Sequence, residues 1–197
     1  MKVPLLNWRK WFRPQSVSAS ILFVDMAASS RLKLIENIKD VWIDNIYTLH
    51  DVASRIIHES HGKVSKTIGD CVMAYFVEAN HSQDAVKCAA LLLDEFERRF
   101  HSALDREWDS TLGKFEVTIG VSSGEVFFLY PNDPYGPAVD LAARLQGVAK
   151  PGTAVILRET VEGMMDGDSY DQLSTWLKAP ETILIRGFGN MEITRLV

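Results

Sequence analysis

Two aspartates stand where backbone geometry presents a carboxylate instead of burying it. Asp25 ends the apolar run Ile21-Leu22-Phe23-Val24, and Asp70 follows Gly69 in a turn between the runs Val64–Ile68 and Cys71–Val77. A carboxylate at the end of a buried strand is costly to desolvate without a partner. Two brought together make a hard oxygen site for Mg²⁺ or Mn²⁺, ions that keep water and substrate phosphates in their shell. The spacing equally permits Asp25 to cap a helix and Asp70 to be a plain turn residue. Beyond Asp25, the small residues Ala28, Ser29 and Ser30 open a helical stretch, and amides at a helix start attract phosphate. Neither a G-x-x-x-x-G-K-[ST] loop nor a G-x-G-x-x-G after a strand occurs. His50, His58 and His61 share one helical stretch and read as a solvated face. Glu95, Glu97, Arg98 and Arg99 read as an exposed helix end of mixed charge. Cys71 and Cys88 fit neither a disulfide framework nor a zinc spacing and read as buried thiols in a reducing cytoplasm.

The elements that must carry these residues follow from periodicity. The run 21–24 is a buried strand, and residues 32–60 are helical, with Ile46, Leu49, Ala53, Ile56 and Ile57 in step. The two runs around Gly69-Asp70 predict a hairpin. Residues 82–103 return to helical spacing, and strands are expected at 115–121 and 125–130 around Ser122-Ser123-Gly124. The turn-rich 131–136 precedes a helix over 138–148 and a strand over 154–157; a short helix near 159–165 and strands near 182–186 and 191–196 close the chain. This order predicts an α+β, ferredoxin-like βαββαβ sandwich with C-terminal additions and helices on one face of the sheet. One domain, 18–197, is expected after an entry segment, 1–17.

Composition narrows the classes. With 197 residues, 47% hydrophobic and 24% charged, the chain can bury an unaided core. Its net charge of −5 argues against nucleic-acid binding, which needs a basic surface. No apolar run reaches the roughly 18 residues that span a bilayer. Leu5, Leu6, Trp8, Trp11 and Phe12 suit a tail packed on the domain or on a partner subunit, so no stable membrane association is expected.

Four blocks in order, ILFVDMAASSRL, KTIGDCVMAYF, VTIGVSSGEVF and YGPAVDLAARLQGVAKPG, resemble the class III nucleotide cyclase domain across residues 19–157. The resemblance implies a metal-dependent cyclase that turns a nucleoside triphosphate into a 3′,5′-cyclic nucleotide and diphosphate. It implies two divalent ions, Mn²⁺ or Mg²⁺, held by Asp25, Asp70 and the Met26 backbone carbonyl. Lys66 and Asp133 fall at the base-contacting positions. Arg144 falls at the arginine that stabilises charge on the transferring phosphate, and Arg186 near a phosphate-binding lysine. It further implies a homodimer whose sites are shared, metal residues from one subunit and the lysine, base-reading aspartate and arginine from the other.

Departures from the pattern bear on substrate. Asp140 replaces a customary Asn, four residues before Arg144; a carboxylate only accepts hydrogen bonds, so it can accept from ribose hydroxyls or pair with an arginine. Pro137 and Ala138 replace a polar pair, and the arm from Gly124 to Tyr135 is short. Lys66 with Asp133 resembles the pair by which adenylate cyclases choose ATP, yet cytosine offers the same edge as adenine, and uracil's edge can also be served. A bulky wall, Tyr47 or Trp42, would then favour a smaller base. The chain reads as a bare catalytic domain without a sensor, in the cytoplasm. It also resembles the standalone pyrimidine cyclases of bacterial Pycsar anti-phage systems, which implies UTP or CTP as substrate and a second messenger in defence. An adenylate cyclase and a catalytically dead, nucleotide-binding pseudo-cyclase are the alternatives.

Overall fold

The computed structural model describes residues 16–27, 39–107, 116–164 and 172–197. In chain order the elements are β1 (Ser16–Met26), α1 (Lys39–Glu59), β2 (Lys63–Ile68), β3 (Cys71–Phe76), α2 (His81–Glu107), β4 (Val117–Tyr130), β5 (Asp133–Tyr135), α3 (Pro137–Val148), β6 (Thr153–Leu157), α4 (Arg158–Glu162), β7 (Glu181–Ile185) and β8 (Gly189–Leu196). The strands form one eight-stranded sheet in the order β2-β3-β1-β4-β6-β8-β7, with β5 paired to β4. The antiparallel segment β2-β3-β1-β4 with α1 and α2 is the expected ferredoxin-like core, and β6 joins it parallel to β4.

Strand alternation explains the layers. Leu22, Val24 and Met26 of β1 point to one face, where they meet Leu49, Val52 and Ile56 of α1 and Ala85, Ala89 and Leu92 of α2. Ala19, Ile21 and Phe23 point to the other, against Ala138 and Ala142 of α3. The expectation of helices on one face is therefore corrected: α3 covers the opposite side. The uninterrupted run 21–24 already carried this signal, because a strand covered on only one face alternates apolar and polar residues.

Two further corrections concern the second half. The strands expected around Ser122-Ser123-Gly124 are one continuous β4 of 14 residues. These small residues stay in the ladder, opposite Ile21, Ser20 and Ala19, and the Ser20 and Ser123 hydroxyls hydrogen-bond at 2.5 Å. The turn-rich segment before α3 contains a short strand, since Asp133, Pro134 and Tyr135 pair back onto β4. Ser16 and Val17, at the end of the expected entry segment, are the first residues of β1. The helix expected from Leu32 is described from Lys39; its first residues, and Trp8 and Trp11, lie outside the described residues.

Candidate active site

The sheet delivers three groups of side chains. The first surrounds the C-terminal end of β1. Asp25 pairs across the ladder with Cys71 on one side and Thr118 on the other. The β2–β3 turn holds Asp70 beside it, for the Met26 amide donates to the Asp70 carbonyl at 3.2 Å. Gly69, at φ 64°, supplies the left-handed residue this tight turn needs. His50 of α1 braces the turn, its Nε2 lying 2.9 Å from the Gly69 carbonyl oxygen; that histidine does more than face solvent. Cys71 is half-buried, and its thiol is pushed up to about 12 by burial and then by the negative charge of Asp25 and Asp70. Cys88 is fully buried, as expected, whereas Cys71 is only partly so.

Two carboxylates on neighbouring backbone positions repel one another when close, and a cation between them relieves that. No group of three or more His, Cys, Asp or Glu side chains forms a ready metal cluster among the described residues. An all-oxygen pair with room for other ligands suits an ion that also takes water and substrate phosphates, which is how Mg²⁺ and Mn²⁺ usually bind. The residues present fit that group.

The second group lies at the edge of the sheet. Lys66 Nζ is 2.5 Å from Asp133 Oδ1, and Tyr135 donates its hydroxyl to Asp133 Oδ2 at 2.8 Å. A register shift between Val64 and Lys66 re-aims the lysine, as bulges do. The lysine's hydrogen bond, followed by the tyrosine's, holds the Asp133 carboxyl below the usual range. Lys66 Nζ also sits 5.8 Å from the centre of the Tyr135 ring. Tyr135 was not singled out from the sequence; its place two residues after Asp133 in an antiparallel pairing was the available signal.

The third group is α3 and the β7–β8 turn. Asp140 and Arg144, one helical turn apart, share an exposed face of α3. The Arg144 guanidinium carbon lies 6.0 Å from the centre of the Phe188 ring, and a side chain on Gly187 would reach within 3.9 Å of it. The turn that carries the exposed Arg186 therefore rests against Arg144. Tyr47 stands on α1, 70% exposed, while Trp42 is partly buried and packs against the core. Met26 is buried behind Asp25. Ala28, Ser29 and Ser30 lie outside the described residues.

This mixed sheet with its helices has the architecture of the class III nucleotide cyclase fold. The chain belongs to the adenylate and guanylate cyclase catalytic domain family, which it matches over residues 13–194. It is 28% identical over 156 residues to "Putative adenylate cyclase 3" of Rhizobium meliloti; the match covers 78% of this chain but only 25% of that protein. Among solved structures it resembles an adenylate/guanylate cyclase/hydrolase from Silicibacter pomeroyi, with TM-score 0.75, 22% identity, and coverage of 94% of this chain and 99% of that one. It also resembles the adenylyl cyclase CyaB from P. aeruginosa, with TM-score 0.72, 20% identity, and coverage of 94% and 96%. No helix among the described residues is long and apolar enough to cross a membrane.

Proposed function

We propose that this chain is a metal-dependent nucleotide cyclase acting on a pyrimidine nucleoside triphosphate, UTP or CTP. The observation that carries the reaction class is that the β2–β3 turn sets Asp70 beside the end of β1 that bears Asp25. The ribose 3′-oxygen attacks the α-phosphorus, the new O3′–P bond replaces the bond to the bridging oxygen, diphosphate leaves, and the hydroxyl proton passes to solvent. Two divalent ions, Mn²⁺ or Mg²⁺, would acidify that hydroxyl and neutralise the leaving group when bound. Asp25, Asp70 and the Met26 carbonyl would hold them. Arg144 binds the charge that grows on the α-phosphate with its planar fork of donors. Arg186 and the amides of Ala28, Ser29 and Ser30 bind the outgoing phosphates, and Asp140 accepts from the ribose hydroxyls.

Lys66 and Asp133 read the base edge. Adenine and cytosine both present a ring acceptor beside an amine, so the pair sets an edge pattern and not a base size. The exposed Tyr47 is the bulky group that narrows the base site. The site is completed in a homodimer, one subunit giving the carboxylates and the other Lys66, Asp133 and Arg144; the exposed α3 face suits that division. Resemblance to the standalone pyrimidine cyclases supports a cytoplasmic role as maker of an anti-phage second messenger. The Lys66–Asp133 ion pair also favours a second reading, an adenylate cyclase. Both readings are tested by diphosphate release with Mn²⁺ and each nucleotide, wild type against Asp70→Ala. Release that Asp70→Ala abolishes supports a cyclase, whereas equally little release from both proteins with every nucleotide makes this a pseudo-cyclase.

A further inference from the structure

Gln146 has none of the roles above, yet from α3 its side chain reaches Asp25. Its Nε2 donates to Asp25 Oδ2 at 3.2 Å and to Thr118 Oγ1 at 2.7 Å. The Thr118 hydroxyl in turn donates to the Asp25 backbone carbonyl at 3.5 Å. Thr118 is only 8% exposed and is the ladder partner of Asp25. Both amide hydrogens of Gln146 are thus used, and both the backbone and the carboxylate of Asp25 are held.

The helix is seated to make this reach possible. Ala138, Ala142 and Gln146, at intervals of four, face the sheet. The first two are small; β4 presents Gly124 to Ala138, and Gly120 to Ala142 and Gln146. A Cβ at Gly120 would lie 2.2 Å from both the Ala142 carbonyl oxygen and the Gln146 amide nitrogen, so helix and strand touch backbone to backbone. Such contact fixes the height of Gln146 above the sheet. A polar side chain on a sheet-facing stripe is costly unless its hydrogen bonds are made, and here they end on Asp25.

We infer that Gln146 is a positioning residue for the carboxylate of Asp25. A neutral amide sets the carboxylate's orientation without cancelling the charge that attracts a cation, as a lysine or arginine there would. Partners of this kind tune metal affinity without touching the metal. The inference rests on the reading of Asp25 as a metal ligand, and the test separates the two. Mn²⁺ alone is titrated into the full chain and the free ion followed by electron paramagnetic resonance, for wild type, Gln146→Leu, Gln146→Asn and Asp25→Asn. Gln146→Leu is expected to weaken Mn²⁺ binding by roughly 10–100-fold. It should raise the Mn²⁺ needed for half-maximal turnover by the same factor and leave the nucleotide KM at saturating Mn²⁺ unchanged. Gln146→Asn keeps the amide but draws it back, so it should weaken binding less; it decides the matter if Gln146→Leu does not fold. Wild-type Mn²⁺ affinity in the decisive variant, with binding lost in Asp25→Asn, overturns the role of Gln146 alone. Wild-type affinity in Asp25→Asn overturns the metal reading together with it.

Discussion

The carboxylate end of β1 and the Lys66–Asp133 pair are built from opposite kinds of structure. Asp25 sits on the central strand, flanked by β3 and β4, with α3 above it and α1 bracing the neighbouring turn through His50. Lys66 lies on β2, an edge strand, and Asp133 on a three-residue strand outside the main ladder order. One group is carried by an inner strand whose flanks and faces are packed; the other is held by one ion pair, one tyrosine hydroxyl and a bulge. The chemistry common to a family belongs in the first kind of place, where a small displacement is resisted by the whole core. Substrate choice belongs in the second, where a few edge substitutions re-aim a side chain without unfolding anything.

The largest effect should come from the anchored region. Asp25→Asn or Asp70→Asn removes charge from the proposed cation site and should lower turnover by at least about 10³-fold, measured as diphosphate release, with little change in unfolding temperature. Arg144→Ala removes the donor proposed to stabilise phosphate charge and should cost about 10²–10³-fold in kcat. Gly120→Ala tests the seat of α3. The added methyl meets backbone, so thermal unfolding should show a loss of about 1–3 kcal/mol, with raised Mn²⁺ demand because Gln146 moves too. A silent Gly120→Ala would break the contrast between a rigid and an adaptable region.

At the edge the effects should be smaller and of another type. Tyr135→Phe removes the hydroxyl on Asp133 and should change the ratio of products between nucleotides by about tenfold or less, leaving Mn²⁺ demand untouched. Acid should barely matter there. The depressed Asp133 carboxyl gives its stabilisation above the unfolded value of 3.8 and loses it only as pH falls through the lower folded value. Nucleotide preference is therefore expected to stay flat between about pH 5 and 8, read from products of mixed substrates. A reversal inside that window would mean that another group reads the base.

The same contrast explains what could be read from residues alone. The central strand, the hairpin and the two aspartates were legible because apolar runs and a Gly-Asp turn are local signals. Element order alone points to helices on one face, but the run Ile21–Val24 is apolar on both faces, and α3 covers the second. Gln146, Tyr135, Phe188 and the brace from His50 were not legible: each acts through a neighbour distant in sequence or across a pairing register. Gly120 looked like an ordinary strand residue, since only the helix lying on it reveals why a side chain is excluded.

The central claim is most directly tested by a competition. The purified chain is given equimolar UTP, CTP, ATP and GTP with Mn²⁺, and the products are separated and weighed by mass spectrometry, with and without a chelator. A cyclic UMP or cyclic CMP product that disappears with the chelator is the result expected. Cyclic AMP as the main product, or cyclic nucleotide formed despite the chelator, would contradict it.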